Sequence, residues 1–144
     1  MKNVLISIST ALLIILFTYA AFSKLLDYHT FFRSLSGSPI TKPIAPLLFI
    51  FLPLSEIVIS ALLIFEKSRI VGLFASLVLL LTFTLYITYI LTLAEHVPCS
   101  CGGVISGMTW KNHLLFNAFF IIINLLAIIL SKIKLKKSSV LKLA

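Results

Sequence analysis

Four long apolar runs set the terms for this chain: Val4 to Phe22, Ile44 to Phe65, Ile70 to Leu93 and Leu114 to Leu130. A bilayer hydrocarbon core about 30 Å thick takes roughly 20 residues as helix, and each run has that size. A helix that is apolar on every side has no favourable place in water. The rest of the chain offers no remedy, because only 11% of its residues are charged and 60% are hydrophobic, whereas soluble domains carry about 25% charged residues. The sequence therefore predicts an all-α membrane protein, a four-transmembrane-helix bundle in a lipid bilayer. With 144 residues and no internal repeat or long flexible linker, residues 1–144 form a single integral membrane domain.

The runs differ in character. The third, Ile70 to Leu93, holds no charged residue. The second contains Pro46, Pro53 and the acid Glu56; prolines are tolerated in spanning helices where neighbours satisfy the freed carbonyl, and Pro53 predicts a kink. The first begins after Lys2 and reaches Tyr19-Ala20-Ala21, a pattern shared with signal peptides. Its apolar stretch exceeds the roughly 7–15 residues of a signal-peptide core, so it reads as a retained span.

A net charge of +8 raises the question of nucleic acid. Phosphate binding needs cations gathered on a folded, water-facing surface, whereas here they flank apolar runs, which excludes that class. Lys2, Lys67, Arg69 and the tail lysines Lys132, Lys134, Lys136, Lys137 and Lys142 fall on one side of the membrane, against Lys24, Arg33, Lys42 and Lys111 on the other. The richer side is cytoplasmic. Both termini are then expected in the cytoplasm, with 131–144 a basic tail beside anionic lipid. The segments Ser23 to Pro43 and Ala94 to His113 face outward.

The second outward segment carries both cysteines of the chain, in the order Pro98-Cys99-Ser100-Cys101-Gly102-Gly103. Pro98 ends the preceding helix, and the glycines leave sulfur approachable. A disulfide across one intervening residue closes a strained ring, and strained disulfides are the easily reduced ones. The same small ring restricts the unfolded chain little, so exchange suits it better than stapling. Two other readings stand beside redox chemistry. The cysteines can be incidental small residues of a loop that positions a partner, a scaffold role without catalysis. His96, Cys99, Cys101 and His113 can also be counted as four ligands for zinc or copper, though their spacing matches no standard finger.

These residues, with Thr109-Trp110, His113 and Asn117, resemble the methylamine utilisation protein MauE family, related to DoxX-like membrane proteins. Further matching pieces are Phe22-Ser23-Lys24-Leu25-Leu26-Asp27 leading to Phe31 and Ser38-Pro39, then Pro53 with Glu56, and Phe83-Thr84 with Tyr86-Ile87. The resemblance implies a multi-pass protein of the bacterial inner membrane, associated with redox chemistry. It also implies a periplasmic thioredoxin-like partner with which disulfides are formed or exchanged; in the namesake, this supports maturation of methylamine dehydrogenase. It implies a small residue where Phe22 stands, so packing at the end of the first span is expected to differ here.

The expected mechanism is a thiol–disulfide relay through Cys99 and Cys101, with His113 as the nearby acid or base because imidazole titrates in the useful range. Glu56 is an ionisable group within a span, which marks a functional site by default. It reads either as a proton relay or quinone contact, or as a neutral hydrogen-bonded acid that fixes helix packing. Lys24 is expected to snorkel to the interface rather than reach Glu56. Trp110, Tyr86 and Tyr89 suit an aromatic belt. His113, Asn117 and Asn124 share one helix face and are expected to bond helices together. A substrate or quinone site would draw on Glu56, Lys24, Trp110 and Asn117.

Overall fold

The computed structural model describes residues 2–93 and 109–143. It contains helices α1 (Lys2–Leu26), α2 (Tyr28–Gly37), α3 (Ala45–Ile64), α4 (Arg69–Leu93) and α5 (Trp110–Leu143), with a 3-10 turn at Lys42–Ile44. Four segments are long and apolar enough to cross a membrane: Asn3–Leu26, Lys42–Ile64, Arg69–Thr92 and Lys111–Lys134. Among the described residues there is no strand.

The four spanning helices form a ring in which α1 packs on α3 and α5, and α4 packs on α3 and α5. The cross-helix bonds run in opposite residue order, Thr18 to Ser60 and Lys24 to Glu56, Ser76 to Asn124 and Thr84 to Asn117, so α1 is antiparallel to α3 and α4 to α5. Leu13, Phe17, Ile59, Leu63, Leu73, Leu80, Phe120 and Ala127 fill the centre. Outward, Ile15, Val78, Leu85 and Leu115 stand exposed. Apolar surface on that scale belongs to lipid rather than water. In α4 the hydroxyls of Thr82, Thr84, Thr88 and Thr92 each donate to the carbonyl four residues back. A polar side chain is thereby satisfied within its own helix, as the hydrocarbon phase demands.

Between α3 and α4 the chain turns in Phe65–Ser68, where the Ser68 hydroxyl donates to the Leu62 carbonyl at 2.9 Å. Gly72 lets α4 approach this turn closely. A Cβ there would lie 3.0 Å from the Leu63 nitrogen and 3.1 Å from the Leu62 carbonyl carbon, both backbone.

Helix bounds depart from the apolar runs in three places. α1 continues past Phe22 to Leu26, because Lys24 is neutralised inside the bundle and its charge need not end the span. Phe22 is 56% exposed, so its bulk points away from the helix contacts. α5 takes in Trp110 to His113 and runs through the basic tail to Leu143, where Lys and Leu are good helix formers. The first outward segment also holds a helix that apolar counting passes over. α2 is capped by Asp27, whose side chain accepts from the Thr30 amide. Its Phe31 and Leu35, four apart, pack with Ala45 against Leu48, Phe49 and Leu52 at the start of α3. The helix α3 itself runs through Pro53 without a break in its residues.

Candidate functional site: a buried charge cluster in the helix bundle

Antiparallel packing brings the end of α1, the start of α5 and the facing parts of α3 and α4 to one end of the bundle. Thr18 on α1 bonds Ser60 on α3 at 3.3 Å, and Lys24, six residues further along α1, meets Glu56, four residues back along α3. The Lys24 ammonium donates to Glu56 Oε1 at 2.7 Å and to the Ala20 carbonyl at 3.1 Å. Lys24 is 8% exposed and Glu56 0%. Snorkelling is therefore not what Lys24 does. An ammonium withdrawn from water needs an opposite charge, and the continuing helix α1 carries it to one.

The pair is incompletely saturated. Glu56 Oε2 is buried without a hydrogen-bond partner, and the ammonium has three protons for the two acceptors described. Two aromatic rings flank that ammonium, Phe31 of α2 at 5.9 Å and Phe83 of α4 at 5.8 Å to the centroids. His113, in the first turn of α5, lies within the electrostatic reach of Lys24. Both of its ring nitrogens are buried and unpartnered among the described residues, and its ring is 6.5 Å from Phe116.

Deeper on the same face of α5 the asparagines bond across to α4. Asn117 Nδ2 donates to Thr84 Oγ1 at 3.5 Å, and Asn124 Nδ2 donates to Ser76 Oγ at 2.8 Å. This is the interhelical bonding expected of them. Tyr86 and Tyr89 are half-buried.

Of the residues singled out from the sequence, Lys24, Glu56, His113 and Asn117 thus sit on helices that meet at one end of the bundle. Trp110 opens α5, and its side chain lies outside the described residues, as do His96, Cys99 and Cys101. Three of the four candidate metal ligands are therefore undescribed. Among the described residues no group of three or more His, Cys, Asp or Glu stands close enough to hold a metal. Spacing in the sequence does not assign Phe31 or Phe83 to the site, nor pair Ser76 with Asn124. Asp27 followed by Phe31 and Leu35 was the signal for the helix that delivers Phe31.

The segment 94–108 joins α4 to α5, and α5 opens at Trp110, three residues ahead of His113. The fold and site together define a multi-pass membrane protein with a buried, net-neutral Lys–Glu pair between α1 and α3. The chain belongs to the family described as methylamine utilisation protein MauE, which it matches over residues 2–130. No curated protein and no solved structure matches it. The family's name links this membrane protein to methylamine utilisation.

Proposed function

We propose that the chain is a membrane-embedded thiol–disulfide relay that exchanges a Cys99–Cys101 disulfide with a periplasmic thioredoxin-like protein, in support of disulfide formation or maturation of exported proteins. The observation that carries this reading is the placement of both cysteines in one three-residue window between Pro98 and Gly102-Gly103. Membership of the MauE family supports it, and so does the chain order, which leads from this segment into α5 with the buried His113 in its first turn. The charge asymmetry supports an orientation with both termini in the cytoplasm of a bacterium and the loop facing outward from the inner membrane.

In the exchange, a partner thiolate attacks one sulfur of the disulfide and a mixed disulfide forms, releasing the other loop sulfur as thiolate. The partner's second thiol then resolves the mixed bond. Two electrons and two protons pass to the loop, which ends as a dithiol, and the partner ends as a disulfide. His113, near the loop in sequence, is the group proposed to hold a proton in transit.

Thiol trapping of Cys99→Ala and Cys101→Ala variants in cells tests this reading. A covalent adduct with a thioredoxin-like protein, formed by one variant and lost on reduction, is the expected result. Full function in a Cys99→Ser, Cys101→Ser double variant would overturn the relay in favour of a scaffold.

A further inference from the structure

We propose that the Lys24–Glu56 pair, walled by Phe31 and Phe83, is a binding site for the head group of a membrane quinone, and that this quinone reoxidises the cysteine loop. The inference rests on the relay reading for its role, but not for the binding itself.

The argument starts from what the pair leaves unused. A buried ion pair kept only to pin two helices would gain from saturating both carboxylate oxygens, since each ion taken from water costs several kcal/mol before it is repaid. Here one carboxylate oxygen has no partner, and one ammonium proton has no described acceptor. The site thus offers a donor and an acceptor side by side. Its charges sum to zero, so it favours a neutral ligand over an ion. It lies within the spanning segments Asn3–Leu26 and Lys42–Ile64, so that ligand must be soluble in lipid. The rings of Phe31 and Phe83 stand 5.9 and 5.8 Å from the ammonium, and aromatic neighbours favour a ring.

A quinone carbonyl accepts from Lys24, and the hydroxyl of the corresponding quinol donates to Glu56 Oε2. Few lipid-soluble groups alternate between acceptor and donor in this way. The chemistry also closes the relay. The thiols of Cys99 and Cys101 lose two protons and two electrons as the sulfur–sulfur bond forms; the quinone gains both and leaves as quinol. The relay then runs in the oxidising direction.

Trp110, the one tryptophan of the chain, stands one turn ahead of His113 and reports on this end of the bundle. The experiment titrates decylubiquinone into the purified full-length protein in nanodiscs and follows Trp110 fluorescence. Saturable quenching is expected in the wild type, with affinity at least tenfold weaker in the Lys24→Met, Glu56→Leu double variant. Linear, unsaturated quenching in the wild type, or saturation unchanged in the double variant, overturns the proposal. If that variant fails to fold, competition in the wild type decides. A soluble benzoquinone without a tail should displace the probe; displacement by an isoprenoid alcohol instead would mark a lipid-tail site and overturn the assignment. The Cys99→Ser, Cys101→Ser variant should bind as the wild type does, so failure of the relay and failure of quinone binding are read separately.

Discussion

Replacing Lys24 by methionine keeps the length of the side chain and leaves Glu56 fully buried with no counter-ion. At the observed 2.7 Å separation, and with an effective dielectric constant of about 20, the lost attraction is about 6 kcal/mol. Part of that is returned, because the ammonium no longer has to be stripped of water. The net cost of removing one partner of a buried pair is about 3–5 kcal/mol. Replacing both partners, Lys24→Met with Glu56→Leu, removes the desolvation cost as well and should bring stability back to within about 1 kcal/mol of the wild type. Reversible unfolding in mixed micelles, followed by helical circular dichroism against denaturing detergent, measures all the variants on one scale. A coupling energy of at least about 2 kcal/mol from the double-mutant cycle is expected for groups in direct contact. If Lys24→Met alone unfolds no more readily than the double variant, the pair is not closed in the membrane and the site described above does not exist.

Three further outcomes follow from the packing. Ser76→Ala leaves Asn124 Nδ2 without its 2.8 Å partner and should lower stability by about 1 kcal/mol, within the range of hydrogen bonds between membrane helices; the same unfolding titration reads it. Gly72→Leu forces a side chain against α3 backbone at 3.0 Å, which must displace the α3–α4 turn and cost about 1–3 kcal/mol. Asp27→Ala removes the cap of α2, worth about 1 kcal/mol. Amide exchange at Thr30 and Phe31 should rise about fivefold while global unfolding stays nearly unchanged.

The spans were legible because hydropathy reports a demand of the solvent that each segment must meet by itself. Lys24 was misread because that same demand was applied to it alone. A lone lysine at the end of an apolar run does best at the interface, whereas a lysine opposite Glu56 does best inside. The pairing joins positions 32 apart in sequence, and its register depends on how α1 and α3 lie against each other. Helix α2 was missed for a different reason. Its apolar face is only Phe31 and Leu35, too little to stand out beside runs of twenty, although the cap at Asp27 marks its start. The asparagines were legible in role but not in partner, since a helix face can be read from spacing and the facing residue cannot. The pieces that carry the family resemblance are scattered from Phe22 to Asn117. Lys24, Phe31, Glu56 and Phe83 close into one cluster, and Thr84 and Asn117 bond to each other on α4 and α5.

That convergence bears on why a charge pair is present at all. A buried pair rarely earns its place by stability, since apolar residues of similar volume serve as well or better. In lipid the comparison tilts further, because the alternative occupant of each position is a side chain that the solvent already favours. The role proposed above, in the chemistry of the loop, is one account of Lys24 and Glu56 in a bundle built largely from leucine, isoleucine and phenylalanine; helix packing is the other. The Lys24→Met, Glu56→Leu variant separates the two explanations in one molecule. It should fold and insert like the wild type, and its Cys99 and Cys101 should still be reducible by a small dithiol. Reoxidation of those thiols by added quinone should nevertheless slow at least tenfold. Were the variant to reoxidise at the wild-type rate, the pair would be a packing feature with no part in the chemistry of the loop.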